Sequence, residues 1–169
     1  MADAAIVGIA EYHNDVVSSL KSYFSQVQAS EDDFRVRTAI ANKLAARLKE
    51  TDQRSAFFTL TTLEAAFRVD YECRCQKKMK DDLSRAFRAI QKLRRSRVSL
   101  DEDIFGAWSQ HSFGARQIIG ELRGAFKFRH WLAHGCYWVP KLGRRKYDFN
   151  FIYALADDTL NAFPLQKFE

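Results

Sequence analysis

The sequence predicts an all-α fold: an up-and-down bundle of about five helices with a short β-hairpin-like or extended C-terminal segment. Three observations predict it. Residues 9–105 contain neither Gly nor Pro, so that long stretch lacks the strongest helix breakers. Apolar side chains recur through it at spacings of three, four and seven, the period of amphipathic helices. Finally, 169 residues with 47% hydrophobic and 14% aromatic content suit one domain, residues 1–169, with one core.

The elements follow in order. Ile6, Ile9, Val16, Leu20, Phe24 and Val27 stripe a first helix. The Ser30-Glu-Asp-Asp run reads as an N-cap with an acidic first turn. Val36, Ile40, Leu44 and Leu48 stripe a second helix behind it. Thr51-Asp52 reads as the cap of a third, carrying Phe57, Leu60, Glu64, Phe67 and Tyr71. Leu83, Phe87 and Ile90, with Ala86 and Leu93 alongside, form a fourth stripe. It either continues the third helix or follows a break near Lys80-Asp81-Asp82. A loop is expected over 98–112. A further helix spans 115–134, with Ile118, Ile119, Leu122, Ala125, Phe126 and Leu132, and Gly135 stands where a C-cap glycine belongs. Gly120 and Gly124 share a face and would admit a close neighbour, including a second subunit. In the tail, Tyr147, Phe149, Phe151 and Tyr153 alternate at period two, which is strand-like. Residues 141–146 would turn a hairpin against 136–139, and 154–162 would close the chain as a short helix.

Charge is concentrated. The formal net charge is +6, yet residues 68–97 hold eleven basic and four acidic side chains. Such a block is compatible with a polyanionic partner and equally with a solvated helix face. No run reaches the eighteen or so apolar residues of a membrane span. The N-terminus lacks the basic region of a signal peptide. Three cysteines do not make a disulfide framework. The expectation is a cytoplasmic protein with no membrane association.

Two of the four histidines fall in Phe128-Arg-His-Trp-Leu-Ala-His-Gly135. An imidazole is suited to proton transfer near neutral pH, and a guanidinium places permanent charge against phosphate. Arg129 and His134 thus suit phosphodiester chemistry. On a regular helix, residues five apart diverge by about 140°. They converge only if His134 sits at a frayed end, if Arg129 reaches round, or if two subunits contribute. The plainer reading is helix-end capping by basic side chains.

Arg-His-x-x-x-His-Gly resembles the signature of the HEPN superfamily (higher eukaryotes and prokaryotes nucleotide-binding domain). Arg129 matches its arginine, His130 its polar follower and His134 its histidine, within Ala133-His134-Gly135. Leu63-Glu64-Ala-Ala-Phe67 is similar to the upstream helix of bacterial members. The resemblance implies a helical bundle acting as a metal-independent endoribonuclease, without cofactor, in toxin–antitoxin or antiphage defence. It also implies a homodimer with a composite active site on RNA, and an antitoxin or defence partner. His134 would move the proton as the ribose 2′-OH attacks the adjacent phosphate, Arg129 would stabilise the resulting charge, and His130 would orient one of them. Products would be a 2′,3′-cyclic phosphate and a 5′-OH. A branch paired with nucleotidyltransferases has Tyr two residues after the motif histidine, where this chain has Cys136.

Other residues keep two readings. Glu64 sits in an apolar stripe and either orients Arg129 or His134 or pairs with Arg68, four residues on. Lys77, Lys78, Arg144 and Arg145 are candidate RNA contacts. His130 and His134 have a zinc-like spacing with Cys136 nearby, but no fourth ligand is evident, and the expectation is no metal. Cys73 and Cys75 read as idle thiols. Trp108, Trp131 and Trp138 read as anchors, with Trp138 an alternative base-stacking surface. The second functional reading is a non-catalytic helical module that binds nucleotide, RNA or a protein. The third is an adaptor in which the motif is structural.

Overall fold

The helical periodicity is realised throughout the computed structural model, which describes residues 2–112, 114–136, 138–140, 142 and 145–168. Among the described residues six α-helices form the bundle: α1 (Ala2–Ala29), α2 (Phe34–Gln76), α3 (Asp82–Arg94), α4 (Gly106–His111), α5 (Ala115–Ala133) and α6 (Phe149–Ala162). A π-helical turn, Leu100–Phe105, joins α3 to α4. No strand occurs among the described residues, and none of the helices is long and apolar enough to cross a membrane.

The two stripes expected to be separate helices are one 43-residue helix, α2. Thr51 does not cap, because its hydroxyl donates back to the Arg47 carbonyl (2.9 Å) inside the helix. Asp52 does cap, but elsewhere: its carboxylate accepts from the backbone N–H of Phe149 (3.1 Å) at the start of α6. The cap of α2 is Asp33, which accepts from Arg35 N (2.7 Å), whereas Ser30 donates to the Val27 carbonyl. The break near Lys80-Asp81-Asp82 is present, with Asp81 capping α3 through Ser84 N (3.0 Å).

The expected strand at 147–153 is instead Tyr147, the cap Asp148 and the first turn of α6. Asp148 caps it by accepting from Phe151 N (3.0 Å). Alternation of aromatics there is compatible with a helix because each ring finds a different neighbour. Phe149 is buried against His13 (4.1 Å between centroids), Tyr147 stacks on Phe128 (5.7 Å), and Phe151 lies beneath Arg145. The expected hairpin turn falls partly on 141, 143 and 144, outside the described residues.

The core is built by the second half of α2 together with α3, α4, α5, α6 and the π turn, with Ile6 of α1 joining it. Leu60, Leu63, Phe67, Phe87, Ile104, Phe105, Trp108, Ile119, Leu122 and Ile152 are its large fully buried members. Phe67 makes edge contacts with Phe105, Trp108 and Phe163. Before Ser55 no described residue of α2 is buried, and Ile40, Leu44 and Leu48 are only half-covered. That part pairs with α1 through the short connection at 30–33. Leu93, expected in the α3 stripe, is exposed.

The tail is fastened by a buried polar cluster. Asp70 accepts from Arg74 Nε (2.7 Å) and from the backbone N–H of Gln166 (2.8 Å). Arg74 also donates to the Pro164 carbonyl (3.0 Å) and stacks over Trp108. Burial pushes the Asp70 carboxyl above its ordinary value, against the Gln166 and Arg74 donors.

Gly124 is required by close packing within the chain. A Cβ there would collide with the Tyr147 hydroxyl and lie 3.2 Å from its Cζ. Gly120 faces open space, so the pair does not frame a close helix contact within the chain.

Candidate functional site

Arg123, Lys127, His130 and His134 recur at intervals of four, three and four, so α5 carries them along one face. The first three line a cleft of about 790 Å³ with Glu64, Arg129, Trp138, Ser99 and the π-turn residues Leu100 and Asp101. The described lining holds three permanent cations against two carboxylates. Arg123 is neutralised by Asp101 (2.5 Å). Lys127 has no ion-pair partner among the described residues.

Arg129 turns toward α2. Its Nη2 lies 3.2 Å from Glu64 Oε2, and its guanidinium sits 5.4 Å from the centre of the Phe57 ring. The other Glu64 oxygen accepts from Arg68 Nε and Nη2, both at 2.9 Å. Both readings of Glu64 are therefore realised at once: one carboxylate holds Arg68 and positions Arg129. Arg129 Nε is buried and has no hydrogen-bond partner among the described residues, so the guanidinium keeps an unused donor.

The end of α5 shows why Gly follows His134. Gly135 N donates to the Leu132 carbonyl and Cys136 N to the Trp131 carbonyl, each at 3.2 Å. These two bonds are a Schellman turn, which needs a left-handed residue at the position Gly135 occupies (φ +76°). The helix stops directly after His134, which is exposed as the C-cap with φ −96° and ψ 19°. Its ring lies 4.3 Å from that of His130, and both rings lie 6.1 Å from Trp138. Trp138 is held in place by the Trp131 indole N–H, which donates to its carbonyl (2.7 Å).

The structure brings His130, His134 and Trp138 together and joins Arg129, Glu64 and Arg68, and His130, Trp138, Arg129 and Glu64 all line the same cleft. It does not pair Arg129 with His134 inside one chain. The other candidates lie apart. Lys77 donates to the Lys167 carbonyl (3.4 Å), and Lys78 is exposed in the turn before α3. Arg145 pairs with Glu121 (3.1 Å) on the tail segment. Arg144 lies outside the described residues. Among the described residues no group of three His, Cys, Asp or Glu side chains is placed to share a metal ion. Cys73 and Cys75 are buried and Cys136 is exposed, all as free thiols.

Lys127 and Arg123 were not singled out by the sequence, although the 123/127/130/134 spacing signals a common face. No protein-family model, curated protein or solved structure matches the chain.

Proposed function

We propose that the chain is a metal-independent endoribonuclease of the HEPN type, a toxin or antiphage effector active as a homodimer. The observation that supports it best is the Schellman-terminated α5. It presents His134 beside His130, while His130 and Arg129, the latter held on Glu64, line a cationic cleft. Neutral His134 takes the proton from the ribose 2′-OH as that oxygen attacks the adjacent phosphorus. Charge accumulating on the phosphoryl oxygens is met by the Arg129 guanidinium. The bond to the 5′-oxygen breaks, that oxygen takes up a proton, and a 2′,3′-cyclic phosphate remains. His130, in ring contact with His134, orients it. Arg129 is engaged by Glu64 of its own chain, and in this reading a second copy brings one chain's arginine to the other chain's histidine.

The engagement of Arg129 by Glu64 also favours a second reading, a non-catalytic module whose cleft binds nucleotide, RNA or a protein partner. Incubating the protein with RNA in EDTA separates the two. The first predicts cleavage that falls by about 10²–10⁴-fold in His134→Ala and about 10²–10³-fold in Arg129→Ala. Equal cleavage by all three proteins, or saturable binding without cleavage, overturns the ribonuclease reading. Light scattering checks the dimer.

A further inference from the structure

The basic block of 68–97 is far less free than its composition suggests. Arg68 is held by Glu64, Arg74 by Asp70, Arg85 by Asp82 (3.0 Å), Arg88 by the Met79 carbonyl (2.6 Å) and Arg94 by Asp103 (3.4 Å). Lys77 is on the Lys167 carbonyl. What remains are Lys78 and Lys80 at one end of α3, and Lys92, Arg95 and Arg97 at the other. All five are exposed, and no carboxylate among the described residues lies at ion-pair distance from them.

The second end is the one beside the cleft. Asp103, which is buried, grips Arg94 with one oxygen and accepts from the Ser99 backbone N–H with the other (2.8 Å). This pins the last turn of α3 to the π turn. Ser99, Leu100 and Asp101 in turn wall the cleft. Only Val98 separates Arg97 from Ser99, so their Cα atoms are at most about 7 Å apart. On the other side of that rim, Arg123 and Lys127 begin the α5 face that ends at His134. From Arg123 to His134 that face is about 16 Å long.

Resting on the ribonuclease reading above, we propose that the RNA strand lies along α5 and leaves the cleft over the Ser99 rim. It continues onto the C-terminal end of α3, where Lys92, Arg95 and Arg97 hold its phosphodiester backbone. These are positioning residues: they touch phosphates beyond the cut bond and read no base. The Lys78/Lys80 end is outside this path, separated from it by the 13-residue length of α3, about 20 Å.

The test uses the full chain with a single-stranded 20-mer RNA of mixed sequence, the matching DNA, and a dinucleotide with one scissile bond. Binding is measured from 50 to 300 mM salt for wild type, for Lys92→Ala/Arg95→Ala/Arg97→Ala, and for Lys78→Ala/Lys80→Ala. Each phosphate contact contributes about 0.7 to the slope of log K on log salt. The triple variant should therefore lose about 2 from that slope on RNA and on DNA alike, while the Lys78/Lys80 variant keeps the wild-type slope. The triple variant should raise KM for the 20-mer by about tenfold or more and leave its kcat, and cleavage of the dinucleotide, unchanged. An unchanged slope in the triple variant, or an equal loss in the Lys78/Lys80 variant, overturns the path. Failure of wild type to cut either RNA overturns the ribonuclease reading instead, and the slopes still decide whether the end of α3 is the polyanion contact.

Discussion

Gly120 and Gly124 sit four residues apart on α5, and opposite outcomes are expected when each becomes alanine. At Gly120 nothing lies within 4 Å of an added Cβ. The substitution then gains only helix propensity, about 0.8–1 kcal/mol. At Gly124 the same gain is opposed by collision with the Tyr147 hydroxyl. The Tyr147 ring cannot simply swing away, being packed on Phe128 (5.7 Å) and Phe151 (5.5 Å). Overpacking of this kind costs about 1–3 kcal/mol, so Gly124→Ala comes out near neutral to about 2 kcal/mol destabilising. At this chain length 1 kcal/mol moves Tm by about 2–4 °C. Thermal unfolding followed by circular dichroism should show Gly120→Ala raising Tm by about 2–4 °C and Gly124→Ala falling clearly below it. Adding Tyr147→Phe removes the colliding oxygen, leaves Cζ at 3.2 Å, and should recover most of the gap. Equal Tm values for the two alanine variants, or no recovery with Tyr147→Phe, refutes the packing argument.

Arg74→Met leaves the Asp70 carboxylate buried without its cation and should destabilise by about 3–5 kcal/mol, whereas Arg74→Met with Asp70→Leu should cost much less; urea unfolding measures both. Gly135→Ala places a Cβ in a left-handed residue (φ +76°) and should cost about 1–2 kcal/mol in the same assay. His13 is held below its ordinary value near 6.5 by burial, against the pull of Asp52. Its neutral form is the one the fold favours, so its contribution is intact above pH 6.5. That contribution declines as the pH falls from there toward the depressed folded value, where the loss levels off. His13→Leu should flatten this part of a stability–pH curve; a wild-type curve already flat from pH 7 to 5 contradicts it.

Helix existence was legible in the sequence because it depends on local terms: apolar period, absent breakers and short caps. The break at Lys80–Asp82 and the glycine stop at Gly135 are of that kind. The errors arise where the partner of a local signal lies far away. Thr51-Asp52 looks like a cap, and Asp52 is one, but for a helix beginning 97 residues later. The alternating rings at 147–153 look like a strand, yet His13, Phe128 and Arg145 supply different niches that suit a helix. At the site, the contact between Glu64 and Arg129 was readable as one of two options, and the fold realises both. The seat of Arg129 over the Phe57 ring was not readable, because it follows from how α5 lies against α2. The π turn was not readable either. It depends on Asp103 and the Ser99 carbonyl, which accepts from Ile104 N (3.1 Å).

The continuity of α2 hides a division of labour along its length. Its residues from Ser55 onward are locked by a shared core, while those before it rest on a half-covered seam with α1. Amide protons in the two halves therefore answer to different opening events. Hydrogen exchange is expected to find the half beyond Ser55 opening only when the whole domain unfolds. The other half exchanges when the α1–α2 pair parts at its far end, and that end can yield while Glu64, and with it Arg129, keeps its place.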